Sequence, residues 1–169
     1  WGLTAAAISG DGRFVVTGDI GGVRLWEGAS GAELRSLSVR FPMTLALSPD
    51  GQRVALAGGL FWNGVILWDL SSGTRLPMAQ KAGGVHSVEF SPDGTLLLTC
   101  GANGVAVLWD VETGNEVRHF EGHSGVVGSG AFSADGRMVV TGGEDRTVRL
   151  WDASSGSEIR RFEGSTDDV

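Results

Sequence analysis

The chain alternates between short hydrophobic runs and clusters of small or polar residues. The runs are about four to eight residues long and are bounded by Gly, Asp, Ser and Asn, which is typical of β-strands separated by turns. No segment shows the apolar period of a helix over about ten residues. The pattern predicts an all-β chain with four groups of four strands, at 3–9, 13–18, 23–26 and 33–37; at 43–48, 53–57, 65–68 and 75–78; at 85–91, 96–100, 105–109 and 116–120; and at 126–133, 138–142, 147–151 and 158–162.

Tryptophans and turn residues recur with the same spacing in all four groups. Trp26, Trp68, Trp109 and Trp151 lie 42, 41 and 42 residues apart. Asp-Gly pairs, the strongest short hairpin signal, join the first two strands of every group, at 11–12, 50–51, 93–94 and 135–136. A period of about 40 residues predicts repeated units that stack on one another. Each unit is expected to be a meander of four antiparallel strands, with Pro77 confining the fourth strand of the second unit to an outer edge.

Several of these motifs resemble the WD-repeat β-propeller family, in a bacterial type of repeat. They are Ser-Pro-Asp-Gly at 48–51 and 91–94, Trp-Asp at 68–69, 109–110 and 151–152, and Gly122-His123. The resemblance covers essentially the whole chain. It implies a β-propeller of four-stranded antiparallel blades, four blades per chain, with blades at 1–38, 39–80, 81–122 and 123–164 and a tail at 165–169. The low lysine and high arginine, glycine and alanine content predicts a GC-rich bacterial source.

The fourth repeat also matches the internal hydrogen-bond tetrad of that family, at His123, Thr141, Asp145 and Trp151. Burying an indole N–H or an imidazole without a partner costs about 1–3 kcal/mol, so hydrogen bonds that satisfy all of these groups together are stabilising. The second repeat keeps only its strand tryptophan and has Leu56 in place of the threonine. We therefore expect the fourth blade to be the most rigid and the second the least rigid.

Catalysis and metal binding are poorly supported by the sequence. His123, Thr141 and Asp145 superficially offer a base, a nucleophile and an acid, but a nucleophile must be exposed at a pocket with an oxyanion hole. This threonine is instead expected inside a sheet. The histidines at 86, 119 and 123 show neither the HxH nor the HExxH spacing of metal ligands. We predict that the chain is not an enzyme and holds no metal and no cofactor.

The net charge and the single cysteine limit which classes of partner and which cellular compartment we expect for this chain. The net charge is −7 and Lys81 is the only lysine, so no basic stripe is available to neutralise phosphates. This argues against nucleic acid and anionic membranes as partners. The single cysteine, Cys100, excludes an intrachain disulfide and is compatible with a reducing compartment. We expect a cytoplasmic protein.

The second repeat has extra loop residues at 58–64, with Phe61 and Trp62 where a polar turn is expected. In the family, loops at this position and loops entering each blade lie on the face that usually binds partners. The resemblance therefore implies a rim that binds a peptide or protein, formed by Phe61, Trp62, Arg40, Phe41, His86 and Arg146. Aromatic residues and arginine are enriched in interface hot spots. The alternative is that Phe61 and Trp62 fill a packing gap over the central channel or their own blade.

The predicted function is a non-catalytic protein-interaction scaffold. The alternative is a sensor or regulatory segment of a larger bacterial enzyme such as a kinase, protease or NTPase. Four blades leave two blade faces without neighbours. An interface that buries on the order of 400 Å² of apolar area contributes roughly 10 kcal/mol, and two of them exceed an association cost of about 4–15 kcal/mol. We expect a homodimer that closes an eight-bladed ring, with further blades in a longer parent chain as the alternative, and we disfavour a closed four-bladed monomer.

Overall fold

The computed structural model describes residues 2–39, 42–58, 64–78 and 84–164. These residues contain no helix, and the strands begin and end within about two residues of the predicted runs. Alternating burial and the Asp-Gly turns explain this agreement, because both act on residues that are close in sequence. The strands are β1 (Ala5–Ile8), β2 (Phe14–Asp19), β3 (Gly22–Glu27), β4 (Glu33–Leu37), β5 (Pro42–Leu47), β6 (Arg53–Gly58), β7 (Val65–Asp69), β8 (Arg75–Pro77), β9 (Val85–Phe90), β10 (Leu96–Gly101), β11 (Val105–Asp110), β12 (Glu116–Glu121), β13 (Val127–Phe132), β14 (Met138–Gly143), β15 (Thr147–Asp152) and β16 (Glu158–Glu163).

The strands pair in chain order within four separate antiparallel sheets. We call them blade 1 (β1–β4), blade 2 (β5–β8), blade 3 (β9–β12) and blade 4 (β13–β16). The prediction of an all-β chain with four-stranded antiparallel blades is confirmed. The strand that contains Pro77 lies at an edge of its sheet, where a residue without an N–H is tolerated.

Among the residues that the structure describes, three hydrophobic cores lie between consecutive blades. Val16 and Leu25 of blade 1 pack with Trp68 of blade 2, and the opposite face of blade 2 packs against blade 3 around Leu67 and Trp109. Between blades 3 and 4 the core includes Leu98, Leu108, Phe120, Val139 and Trp151. Because side chains alternate between the two faces of a strand, blades 2 and 3 are covered on both faces.

The four blades form an open arc. In the described ranges, the strands that pack extensively across blades join blade 1 with 2, 2 with 3 and 3 with 4, and none joins blade 1 with blade 4. One face of blade 1 and one face of blade 4 therefore have no neighbouring sheet within the described part of the chain.

The connections lie at two opposite ends of the blades. The Asp-Gly turns are at one end. At the other end, which we call the loop end, the loops between the second and third strands meet the segments that enter or leave a blade. There the backbone N–H of Glu144 donates to Val126 O (2.9 Å), and that of Gly164 donates to Arg146 O (2.7 Å).

Candidate functional site

A continuous hydrogen-bond network crosses blade 4 and reaches the loop end. The indole N–H of Trp151 donates to Thr141 Oγ1 (2.8 Å), and the same hydroxyl is 2.9 Å from His123 Nε2. The other ring nitrogen, His123 Nδ1, is 2.9 Å from Asp145 Oδ1. The four residues of the predicted tetrad are thus joined in one chain, with the tryptophan in the sheet and the aspartate in the β14–β15 loop.

Asp145 is the residue that ties the loops together. Its carboxylate accepts hydrogen bonds from the Thr147 hydroxyl (2.7 Å), the Thr147 N–H (3.1 Å) and the Ser124 N–H (3.1 Å). Burial acts to raise the pKa of this carboxyl, but the hydrogen bonds from His123, Thr147 and Ser124 outweigh it and hold the pKa well below its usual range. The carboxylate therefore stays ionised and fixes the segment entering blade 4 against the β14–β15 loop.

Sequence reasoning missed two members of this network, Thr147 and Arg149. The Arg149 guanidinium is 2.8 Å from Glu158 Oε2 and 3.6 Å from Asp145 Oδ2, and it lies over the Trp151 ring at 6.0 Å. Blade 1 repeats this arrangement, since Arg24 pairs with Asp19 and Glu33. The motif Arg-Leu-Trp occurs in the sequence only at 24–26 and 149–151. This repetition was the sequence signal from which the arginine and its acidic partners could have been predicted.

The predicted partner-binding residues divide into two sets. Arg40, Phe41, Phe61 and Trp62 lie outside the described residues. His86 is exposed on β9 and Arg146 is exposed in the β14–β15 loop at the loop end. These two residues belong to different blades and share no hydrogen bond in the described part of the chain. Their role in binding stays a prediction.

Arg146 has an unusual backbone conformation. Its φ is 61°, and it is the one non-glycine residue with a positive φ among the described residues. The corresponding position in blade 3, five residues before the strand tryptophan, is Gly104 with a φ of 79°. A non-glycine residue in this region costs on the order of 1 kcal/mol, and such residues cluster at functional sites. The β14–β15 loop therefore holds Arg146 in a strained backbone conformation that glycine would adopt without strain.

The chemistry available in the network is structural. Thr141 is buried, and its hydroxyl both accepts from Trp151 and bonds His123, so it is not presented to a substrate. In the described ranges no three His, Cys, Asp or Glu residues group as metal ligands would. Burial raises the pKa of the Cys100 thiol to about 12, so it is not a reactive thiolate. No helix in these ranges is long and apolar enough to cross a membrane.

Comparison with known proteins agrees with the fold. The family described as WD domain, G-beta repeat, matches residues 76–110 and 114–152. Transducin-like enhancer protein 2 of Mus musculus is 30% identical over 132 residues, which cover 72% of this chain and 17% of the relative. Protein groucho of Drosophila melanogaster is 29% identical over 132 residues, covering 72% and 18%. Transducin beta-like protein 3 of Homo sapiens is 35% identical over 108 residues, covering 62% and 13%.

Four stacked antiparallel meanders with a recurring strand tryptophan define a repeat protein of the β-propeller class. With the matched repeats and relatives, the chain belongs to the WD-repeat family. It spans less than a fifth of the length of the relatives named above. The expectation of a bacterial type of repeat is not borne out, because those relatives are animal proteins.

Proposed function

We infer that the chain is a non-catalytic scaffold that binds a peptide or protein partner at its loop end, with Arg146 as a contact residue. The observation that carries this proposal is the exposed arginine at a positive φ, where the preceding blade has glycine. A loop with a purely structural role is better served by glycine at that position, because glycine adopts the conformation without strain.

The surroundings of Arg146 favour a binding role. On its N-terminal side, Asp145 is fixed by His123, and on its C-terminal side Thr147 is fixed by Asp145. The Arg146 carbonyl also accepts the Gly164 N–H. Because the loop is already ordered, a partner that contacts the guanidinium does not have to order the backbone, and less of the binding free energy is lost to entropy. A guanidinium offers five N–H donors in a fixed plane, which suits carboxylates and backbone carbonyls of a partner.

The relatives support the proposal at the level of the family alone. None of the three names describes a kinase, a protease or an NTPase, so the alternative of a segment that regulates a bacterial enzyme has less support. The short share of each relative that the chain matches favours a module within a longer protein. An interaction scaffold within such a protein accounts for both observations.

The test is selection of peptides from a phage-displayed random library against the 169-residue chain. We expect enriched peptides to bind the original chain and to bind Arg146→Gly and Arg146→Ala at least about tenfold more weakly, a loss of about 1.4 kcal/mol. The melting temperature of Arg146→Gly should be unchanged or higher, because the substitution removes backbone strain.

Arg137→Ala is the matched control, since Arg137 is an exposed arginine beside the Asp-Gly turn at the opposite end of blade 4. It should leave peptide affinity unchanged. Failure to enrich any peptide, or equal binding by the Arg146 and Arg137 variants, would contradict a binding site at the loop end.

A further inference from the structure

The uncovered faces of blades 1 and 4 have the same construction as faces that are covered inside the arc. Phe162 pairs with Val148 on β15 as Phe120 pairs with Ala106 on β11, so the two phenylalanines occupy the same position in their blades. Phe120 is 0% exposed under blade 4, whereas Phe162 is 47% exposed. We call the uncovered side of blade 4, with Val148 and Phe162, the front face.

The uncovered side of blade 1 matches the side of blade 4 that packs on blade 3. In blade 1, Val15 pairs with Ile8 on one neighbouring strand and with Trp26 on the other. In blade 4, Val139 pairs with Phe132 and Trp151 in the same way. Phe132 and Trp151 lie in the core between blades 3 and 4, whereas Ile8 is exposed. We call this side of blade 1, with Ile8, Arg24 and Trp26, the back face.

The contact between blades 3 and 4 is a template for how a front face meets a back face. Its first element is aromatic. The Phe120 and Trp151 rings pack at a centroid distance of 5.5 Å and an interplanar angle of 42°. On the uncovered faces the matching pair is Phe162 and Trp26. Tilted aromatic pairs at this distance are favourable beyond the area that they bury.

The second element of the template is an arginine covered by a glycine backbone. A Cβ atom at Gly122 would lie 2.3 Å from Nη1 of Arg149, so this backbone lies directly against the guanidinium. The Arg149 side chain is 9% exposed. The matching arginine of the back face, Arg24, has the same kind of acidic partners but is 40% exposed.

An open groove lies beside Arg24, where the template places the covering glycine. Its volume is about 300 Å³, and Gly21, Gly22, Glu33 and Ser36 are among its lining residues. At the end of blade 4, Phe162-Glu163-Gly164 repeats the Phe120-Glu121-Gly122 segment that covers Arg149. Gly164 is thus the matching residue for the groove.

The third element is an arginine that reaches the turn of the next blade. Arg118 Nη2 donates to Ser154 O (2.5 Å), and Arg35 Nη2 donates to Ser71 O (2.9 Å) in the same way. Arg160 occupies this position on β16, since it pairs with Leu150 as Arg118 pairs with Leu108. Arg160 is exposed, and the matching acceptor on blade 1 is the carbonyl of Ala29.

We propose that the front face of one copy of this chain packs on the back face of a second copy, through Phe162 on Trp26, Gly164 on Arg24 and Arg160 on Ala29 O. The contact is heterologous, because two different surfaces meet. Two copies joined twice in this way close a ring of eight blades and leave no open face. This interaction does not depend on Arg146 or on a partner at the loop end.

The first test is the mass of the 169-residue chain in solution, measured by light scattering after size exclusion across a concentration series. We expect about 35 kDa, twice the 17.6 kDa of one chain. A mass of 17.6 kDa at all concentrations overturns the proposal and assigns the two faces to another occupant, such as further blades of a longer chain.

Substitutions on β16 separate the interface from general surface effects. Phe162→Asp should give a folded monomer. Ile159→Asp is the control on the same strand: Ile159 is 51% exposed, but its counterpart Val117 stays 45% exposed in blade 3, which is covered on both faces. Ile159→Asp should remain a dimer. If both variants dissociate, or if Phe162→Asp stays dimeric, the front face is not the interface.

A mixing experiment tests whether the contact joins unlike faces. Phe162→Asp damages the front face and Ile8→Asp damages the back face, so each variant alone should be monomeric. Mixed together they retain one intact front face and one intact back face, and a heterodimer should form. Association of like faces would instead leave one of the two variants dimeric and give no gain on mixing.

Arg160→Glu tests the interface without changing a residue of the hydrophobic cores. It should raise the dimer dissociation constant by roughly tenfold, because the donor to the Ala29 carbonyl is lost and an acidic side chain replaces it. The melting curve of each variant, followed by circular dichroism, establishes that the blades are folded. An unchanged dissociation constant for Arg160→Glu removes the third contact from the proposal.

Discussion

Whether a strand tryptophan has a hydrogen-bond partner depends on the residue at one position of the neighbouring strand. Trp26, Trp109 and Trp151 each donate an indole N–H to a threonine hydroxyl at 2.8 Å. In blade 2 the threonine position is Leu56, and Trp68 Nε1 is buried without a hydrogen-bond partner among the described residues. Leucine in place of threonine adds apolar packing in the core around Leu56 but removes the hydroxyl that would accept the indole N–H of Trp68.

The first prediction at this scale compares two tryptophan-to-phenylalanine substitutions. Trp68→Phe removes an N–H that has no partner among the described residues. Trp109→Phe removes the donor to the buried Thr99 hydroxyl, which keeps only a long hydrogen bond of 3.5 Å to Val107 O. We expect Trp109→Phe to lower the free energy of unfolding by about 1–2 kcal/mol more than Trp68→Phe. Urea unfolding of both variants, followed by fluorescence and circular dichroism, measures the difference.

The two positions are well matched, because both side chains are almost completely buried and each lies in a core between blades. The loss of ring volume is therefore similar in the two variants. Equal destabilisation would show that the Trp109–Thr99 hydrogen bond contributes nothing to the difference between the blades.

At the scale of the elements, the approach of β13 to β10 depends on a missing side chain. A Cβ atom at Gly130 would lie 2.6 Å from Cys100 Sγ and 3.0 Å from Leu98 Cδ2. Real side chains do not pack this closely, so any larger residue would push blade 4 away from blade 3. Both contact atoms belong to the core that joins these blades.

We predict that Gly130→Ala destabilises the protein by about 1–3 kcal/mol through overpacking of this core. Gly128→Ala on the same strand is the control, because a Cβ atom there meets nothing within 4 Å. Thermal unfolding of the two variants should show a lower melting temperature for Gly130→Ala alone. A similar melting temperature for both would mean that the two sheets adjust to the added methyl group.

The elements were largely predictable from sequence, and the site only in part. The Asp-Gly turns and the edge strand at Pro77 depend on local patterns. The tetrad at His123 was expected from the resemblance to the WD-repeat family, and its members are hydrogen-bonded in the structure. The role of Arg118 was not found, because its hydrogen bond crosses the boundary between blades. The ion pairs of Arg149 lie within blade 4, but its cover by Gly122 also crosses this boundary. The alternation of residues along a strand indicates which face of the sheet a side chain occupies. It does not indicate which residue of the neighbouring sheet that side chain contacts.

At the scale of the whole molecule, ionised carboxylates stabilise turns in every blade. Hydrogen bonds from Ser9, Ser91 and Ser133 are the largest cause of a lowered pKa at the aspartates two residues further on. In the turns between third and fourth strands, several hydrogen bonds act together on one aspartate. Those from the Ser72 N–H, which is the largest cause, and from the Ser71 and Ser72 hydroxyls lower the pKa of Asp69 to about 2. Those from the Ser154 hydroxyl, the largest cause, and from the Ser155 N–H and hydroxyl lower the pKa of Asp152 to about 2.

These shifts predict acid sensitivity. A carboxyl whose pKa is lower in the folded state contributes stability above its unfolded pKa, near 3.8, and loses that contribution as the pH falls towards its folded pKa, about 2. We expect a melting temperature that is nearly constant from about pH 5 to 7 and falls steadily below about pH 4. Asp69→Asn and Asp152→Asn should each lower stability at neutral pH and flatten the acid slope.

Glu112→Gln, at an exposed position in the corresponding turn of blade 3, controls for the change in net charge. It should leave the acid slope unchanged. A slope that is identical in the original chain and in both aspartate variants would mean that these turn hydrogen bonds do not distinguish the folded from the unfolded state.

The sequence by itself determined the strands and their antiparallel order, because turn chemistry and alternating burial act over a few residues and the repeats supply four copies of the pattern. The resemblance to the WD-repeat family, not the local pattern, implied the tetrad at His123. Only the tertiary structure decided the environment of each copy. Arg24 and Arg149 share the same local motif and the same kinds of acidic partner, yet one borders an open groove and the other is buried under Gly122. The difference arises because burial depends on the neighbouring blade, which lies about forty residues away in the chain.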